Sequence, residues 1–226
     1  MKPLLSLLFG ALAWNVAAAD MTEIRYRDQE ADQTAYTSRI LILGEKMRMD
    51  YGHDDEDFIL FDRAAGTVWL VAHGERRLTG ITAVPMGSVA KLADWPQGWR
   101  LDQNRQASAG NVLFQARLND QLCVEYKTAP ILKKEARLLR DFRRALAANQ
   151  AASWNGMPES LREPCMLLLD VRQAGLEYQQ GLPLAIRYWD GRGRVYQSHE
   201  TRPAQPSLFA LPDGYQRFTV AVPSGK

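Results

Sequence analysis

Short stretches of alternating apolar and polar residues follow one another between residues 20 and 82, separated by turns of only a few residues. Ile24 and Tyr26 alternate with charged neighbours, and the runs 39–43 and 46–50 flank a turn at Gly44. Alternation with a period of two is typical of strands with one buried face. Strands joined by such short connections pair as antiparallel neighbours. We therefore predict a meander of five or six antiparallel strands in this part of the chain.

The remainder of the chain predicts further strands and one long helix. The helix is expected over residues 131–150, where Leu132, Leu139, Phe142 and Leu146 recur at helical spacing. A short helix is expected over 86–95 and a long loop over 95–110. Strands are expected at 111–118, 122–127, 166–171, 184–189, 195–198 and 218–222.

This pattern predicts an α+β fold that is mainly antiparallel β. The simplest way to bury both apolar surfaces is a strongly curved sheet or half-open barrel, with the long helix and the short helix covering its concave face. A chain of this length can bury one substantial core. We therefore expect residues 20–226 to form a single domain, with the helix at about 131–150 as an insertion.

The first nineteen residues have the three parts of a secretory signal peptide. Lys2 supplies the positive start, residues 4–16 the apolar run, and residues 17–19 the small-residue end. We expect cleavage before Asp20 and a mature protein in the bacterial periplasm. An uncleaved anchor helix is the alternative, but the apolar run is shorter than the roughly 20 residues that span a bilayer. No membrane span is expected after the signal is removed.

Cys123 and Cys165 are the only cysteines, so one intramolecular pairing is available. In an oxidising compartment we expect a disulfide that brackets the long helix. A redox pair or a metal site is the alternative, and it lacks a Cys-x-x-Cys spacing. The 28 basic and 26 acidic residues nearly balance, which argues against nucleic acid as a partner.

Several segments together resemble the periplasmic lipoprotein-carrier superfamily typified by LolA and LolB, in its uncharacterised exported branch. The resemblance is carried by residues 42–49, 58–63, 67–71, 181–184, 189–191 and 209–215. It covers most of the mature chain as a pattern of turns and alternation. It implies a half-open barrel whose apolar concavity accepts an acyl chain or another hydrophobic group. No site residue is transferred from the carriers.

The hydrophobic ligand implied by this resemblance would meet large apolar side chains at the mouth of the barrel. Trp95 and Trp99 flank a broken segment that is expected either to form a flap over the concave face or to fill the core permanently. The tentative ligand-binding set is Trp69, Trp95, Trp99, Leu132, Leu139, Phe142 and Leu146.

Catalytic and metal-binding motifs give weaker hypotheses. Met47, Met49 and His53 are considered as copper ligands, and the acidic turn 53–57 as a calcium site. His53, His73 and His199 all lie in expected turns or strand ends, and no serine has the surroundings of a hydrolase nucleophile. We therefore predict no catalytic residue, no metal and no cofactor.

The leading hypothesis is a non-enzymatic binding or carrier protein whose partner is a lipid or an acylated protein. The alternative is an accessory protein with a filled core that acts on an envelope protein through its surface. An enzyme without a recognisable motif is the third hypothesis.

Overall fold

One sheet of twelve strands organises the residues that this computed structural model describes, which are 20–89, 91 and 93–221. The strands are β1 (Asp20–Gln29), β2 (Tyr36–Leu43), β3 (Lys46–Asp50), β4 (Phe58–Asp62), β5 (Thr67–Ala72), β6 (Arg77–Thr82), β7 (Leu101–Ser108), β8 (Asn111–Leu118), β9 (Gln121–Ala129), β10 (Leu182–Tyr188), β11 (Gly193–Pro203) and β12 (Gln216–Val220). Residues 1–19, which carry the predicted signal peptide, lie outside the described residues.

The strands are arranged in the order β12-β6-β5-β4-β3-β2-β1-β11-β10-β9-β8-β7. Neighbouring strands are antiparallel except for β12, which runs parallel to β6. Because β12 and β7 are the two edges, the sheet is open. The predicted α+β class and the six-stranded meander from β1 to β6 are confirmed.

Helices occupy the connections between β6 and β7 and between β9 and β10. Helix α1 (Met86–Val89) is shorter than expected, and α2 (Lys133–Gly156) runs six residues further than the predicted end at 150. A short helix, α3 (Pro164–Met166), continues as a π-helix over Leu167–Arg172. In the part of the chain that is described, no helix is both long and apolar enough to span a bilayer.

Two element predictions are wrong. Residues 166–171, predicted as a strand, are helical. A continuous apolar run does not distinguish a buried strand from a buried helix, and here it packs beside α2. Residues 95–110, predicted as a loop, contain β7, which is polar and exposed because it forms an edge of the sheet and buries neither face.

Helix α2 packs on one face of the sheet, which we call the helix face. Leu139 and Phe142 of the helix join Ile24, Ile40 and Phe61 of the strands in one buried cluster. The rings of Phe61 and Phe142 lie with their centroids 5.9 Å apart. The amphipathic spacing of α2 therefore buries an apolar stripe against the sheet.

The opposite face of the sheet is covered by the segment that precedes β12. Leu208 and Phe209 pack there against Leu41, Leu60 and Leu78. This side of the sheet also buries charge, because Arg39, Arg48 and Asp50 are each less than 7% exposed.

The buried charges form one hydrogen-bonded network. Asp50 accepts two hydrogen bonds of 2.8 Å from Arg39 and one of 2.7 Å from Arg48. Arg48 lies 3.9 Å from the centroid of the Phe58 ring and donates to the Leu208 carbonyl at 3.2 Å. The network therefore ties the C-terminal covering segment to β3.

The pKa of Asp50 reflects this network. Burial alone would raise it, but the hydrogen bonds from Arg39 and Arg48 outweigh burial and hold the pKa below its ordinary value. The carboxylate therefore stays ionised and paired in the folded protein.

Cys123 of β9 and Cys165 of α3 form the predicted disulfide, with Cα atoms 5.1 Å apart. The bond lies in a buried cluster with Leu168 and Val124. It links the sheet to the helical segment that follows α2, so the chain between the two cysteines is fixed at both ends.

We expect Cys123→Ser combined with Cys165→Ser to lower the melting temperature of the oxidised protein. Closing a loop with a sequence separation of 42 residues stabilises a fold by up to about 4 kcal/mol in the chain-entropy model. Thermal denaturation with and without reductant measures this. Reductant should lower the melting temperature of the native protein and leave that of the double variant unchanged. Equal melting temperatures for the two oxidised proteins would refute the prediction.

We expect Asp50→Asn to destabilise the fold by about 3–5 kcal/mol, because it leaves the buried guanidinium of Arg48 without a carboxylate and that of Arg39 with only Asp54. The folded pKa of Asp50 is lowered, so its contribution is present above the unfolded pKa and is lost as the pH falls through the folded pKa. Urea denaturation between about pH 7 and pH 2 should show the difference between native and variant shrinking below about pH 4.

The matched control for that variant is Asp55→Asn in the neighbouring turn, where the side chain is exposed. It should change the free energy of unfolding by less than about 0.5 kcal/mol. A loss at Asp50 no larger than the loss at Asp55 would show that the network contributes little.

Candidate ligand cleft

Two adjoining cavities open at the helix face of the sheet, and residues of α2 line the smaller one only. One has a volume of about 280 Å³ and the other about 160 Å³. Asp28, Tyr36, Met49 and Arg194 line both of them, so the two cavities adjoin, and together we call them the cleft. We call the larger cavity the apolar arm and the smaller one the charged arm.

Strand register builds the floor of the apolar arm. Met49, Ile59 and Leu70 lie directly opposite one another on β3, β4 and β5. Met49 and Ile59 are half-buried, whereas Leu70 at the end of this row is 39% exposed. Tyr51, at 59% exposure, lies at the same end and packs edge-on against Tyr36. Large apolar side chains therefore face an open mouth.

An ion pair between neighbouring strands forms the floor of the charged arm. Asp28 of β1 and Arg194 of β11 are opposite in register, and Arg194 donates two hydrogen bonds to the Asp28 carboxylate, at 2.5 and 2.9 Å. The carboxylate and the nearby phenol of Tyr178 raise the pKa of Arg194 despite the opposing effect of burial. Arg194 is therefore a fixed positive charge.

Helix α2 supplies the wall above this ion pair. Leu139, Phe142 and Arg143 project from one side of the helix, at spacings of three and four residues. Arg143 donates to Asp170 at 2.5 Å and lies 3.5 Å from the carboxylate of Glu177. Burial opposes the charge of Arg143, but these two carboxylates outweigh it and raise the pKa of the guanidinium.

Burial also governs the other titrating groups of the charged arm. It raises the pKa of Glu177, although Arg143 acts in the opposite direction. Burial raises the pKa values of Tyr178 and Tyr188 as well, and that of Tyr36 to about 12. These phenols remain protonated near neutral pH and can donate hydrogen bonds to a ligand.

The cleft thus combines an apolar row on β3, β4 and β5 with charges and phenols, and some of those charges, among them Asp28 and Arg194, also line the larger cavity. An elongated ligand with an apolar part and a polar part matches this distribution, because apolar area is buried in one arm while polar groups meet donors and acceptors in the other. The arginines of the charged arm, Arg143, Arg192 and Arg194, are each paired with a carboxylate, so they orient a polar group without leaving an isolated buried positive charge.

Of the residues predicted to bind a ligand, Leu139 and Phe142 line this cleft. Leu132 and Leu146 pack against the same buried cluster beneath α2. Trp69 lies on the opposite face of the sheet, where its ring fills the space beside Gly80. A Cβ atom at Gly80 would approach the Trp69 ring to 2.8 Å.

Trp95 and Trp99 pack edge-on against each other, with ring centroids 5.3 Å apart. They contact the cluster around the disulfide and the cluster between α1 and α2, and they are not among the residues that line the cleft. The structure therefore brings together only the two central helix residues of the predicted set.

The residues considered for metal binding and catalysis have other neighbours. Met47 is fully buried in the core, and Met49 belongs to the cleft floor. In the acidic turn, Asp54 pairs with Arg39 at 2.7 Å. His73 Nδ1 lies 2.7 Å from the Tyr215 hydroxyl, and His199 Nδ1 lies 2.5 Å from that of Tyr196. His53 is exposed.

Sequence reasoning missed the polar residues of the charged arm. Arg143 carries a detectable signal, because it follows Leu139 by four residues and therefore shares the apolar side of α2. A charge at such a position indicates a buried partner or a ligand. Asp28 and Arg194 carry no such signal, since their pairing depends on strands that are far apart in the sequence.

No protein-family model and no curated protein matches the chain. Solved structures that match include PNGF-II in a C2 crystal form, with a TM-score of 0.42 and 14% identity, and in a P21 form, with a TM-score of 0.43 and 11% identity. Each match covers 89% of this chain, and 31% and 32% of the respective PNGF-II chains. The chain thus spans about a third of their length. These comparisons assign the chain to no family.

Proposed function

We propose that this protein is a non-enzymatic binding or carrier protein for a lipid, an acyl group or a similar hydrophobic ligand, which it holds in the cleft. The observation that carries this proposal is the pair of adjoining cavities, with the apolar row of Met49, Ile59 and Leu70 lining the larger one and α2 lining the smaller one. Because its arms adjoin, the cleft reaches the range of about 300–1,000 Å³ typical of small-molecule sites.

The physical driving force is the removal of apolar surface from water. Each 100 Å² of acyl chain buried contributes about 2.5 kcal/mol. The exposed side chains of Leu70 and Tyr51 at the mouth would be covered at the same time, which adds to the gain. A ligand can therefore bind in the apolar arm through area alone, while its polar end lies among the phenols of the charged arm.

The proposed architecture follows the resemblance to the lipoprotein carriers. The open sheet would curve as a half-barrel, and α2 would lie across its concave side. The packing of Leu139 and Phe142 on β1, β2 and β4 supports this arrangement. The apolar segment that a carrier shields from water would then lie between the sheet and the helix.

A titration with an environment-sensitive fluorescent fatty acid tests the binding function. The native protein should give a saturable increase in fluorescence, and Leu70→Asp should weaken the affinity about tenfold or more, because a carboxylate in the apolar arm must lose its hydration when the acyl chain binds. Leu70 is 39% exposed, so this change leaves the core intact.

Leu113→Asp is the matched control. Leu113 is also a strand leucine, is 36% exposed and does not line the cleft. Its affinity should stay within about twofold of the native value. Absence of saturable uptake by the native protein, together with no lipid in native mass spectra of the purified protein, would overturn the carrier proposal and favour the accessory-protein alternative.

We propose further that the chain is exported to the periplasm and cleaved before Asp20. The disulfide is compatible with an oxidising compartment. Intact-mass measurement of protein recovered from the periplasm of a Gram-negative host should give a chain beginning at Asp20. A mass that includes residues 1–19 would contradict this prediction.

A further inference from the structure

A second groove lies on the other half of the molecule, between strand β7 and the segment that follows the π-helix. It consists of two cavities of about 300 and 270 Å³, which share Gln103, Leu176 and Gln179 in their linings. None of these three residues lines the cleft described above. We call this second site the arginine groove.

Three arginines line the arginine groove without acidic neighbours in the lining. Arg144 and Arg172 line the larger cavity, and Arg105 lines the smaller one. Neither cavity has an aspartate or glutamate among its described lining residues. By contrast, each arginine of the cleft, namely Arg143, Arg192 and Arg194, lies within ion-pair distance of a carboxylate.

Within the part of the chain that the structure describes, none of the three arginines of the groove forms an ion pair with a carboxylate. Arg105 donates to the side-chain oxygen of Gln180 at 2.9 Å, and Arg172 donates to the Ala93 carbonyl at 2.5 Å. The Nε atom of Arg172 is buried and has no hydrogen-bond acceptor. The hydrogen bonds of Arg105 and Arg172 each use one N–H group, and a guanidinium has five, so donors remain for a ligand.

Side-chain amides add to this capacity. Gln103 donates to the Gln173 oxygen at 2.7 Å, which leaves the Gln103 oxygen and the Gln173 amide group for a further partner. Gln179 also lines both cavities and is exposed. The groove thus presents amide groups beside its three positive charges.

We propose that the arginine groove binds an anionic ligand through carboxylate or phosphate oxygens. Guanidinium groups match both anions, because their parallel N–H donors can bond two oxygens at once. The formal net charge of the whole chain is only +2, so the attraction arises locally in this groove and not from a generally basic surface. Amide groups beside the arginines then satisfy the remaining oxygens of the ligand.

Isothermal titration calorimetry on the full chain at low ionic strength tests this proposal, with inorganic phosphate in one arm and citrate in the other. Saturable binding of at least one probe is expected, and the arm that binds identifies the preferred anion. Arg105→Gln and Arg144→Gln should each weaken that binding about tenfold, since each removes a charge-assisted hydrogen bond. Binding should also weaken as salt is added.

Arg137→Gln is the matched control, because Arg137 is an exposed arginine of α2 that lines neither cavity. Its affinity should stay within about twofold of the native value. Absence of saturable binding of both probes would overturn the proposal, as would an equal loss in Arg137→Gln, which would indicate a general charge effect. Circular dichroism of each variant checks that the fold is retained. Fatty-acid uptake by the Arg105 and Arg144 variants should be unchanged, so the two sites are tested separately.

Discussion

A sheet of twelve strands has two faces to shield from water, and one helix can shield only part of one of them. Twelve strands spaced about 4.8 Å apart extend over roughly 50 Å, whereas the 24 residues of α2 extend over about 36 Å at 1.5 Å per residue. Helix α2 contacts β5, β6 and β10 and packs on Ile24, Ile40 and Phe61. Among the described residues that line the cavity at Leu70, none belongs to α2, and the cleft opens there.

The opposite face meets the same requirement in a different way. Leu208 and Phe209 cover its apolar residues, while Arg39, Arg48 and Asp50 bury charge beside them. Such charges are tolerated inside a protein only when they are paired and hydrogen-bonded. Arg48 also donates to the Leu208 carbonyl. This one side chain therefore links the charged network to the apolar segment that covers the sheet.

The sequence predicted those parts of the fold whose signals are local. The strands from β1 to β6 alternate clearly and are joined by tight turns, and α2 has a long apolar stripe, so both were found. β7 was missed because an edge strand with two solvent-exposed faces shows no alternation of apolar and polar residues. Residues 166–171 were misassigned because an apolar run of six residues fits a buried helix as well as a buried strand. The charged arm was hidden for a related reason, since Asp28 and Arg194 are 166 positions apart and meet only through pairing of β1 with β11.

The pairing of β1 with β11 has a consequence for how the chain folds. All ten residues of β1 pair with β11, so one edge of the first described strand is satisfied only by residues 193–203. Contacts between such distant segments slow folding, because a long loop must close before they form. Until residues 193–203 are in place, β1 therefore exposes an unpaired edge in the middle of the future sheet, even when its other edge is already paired with β2.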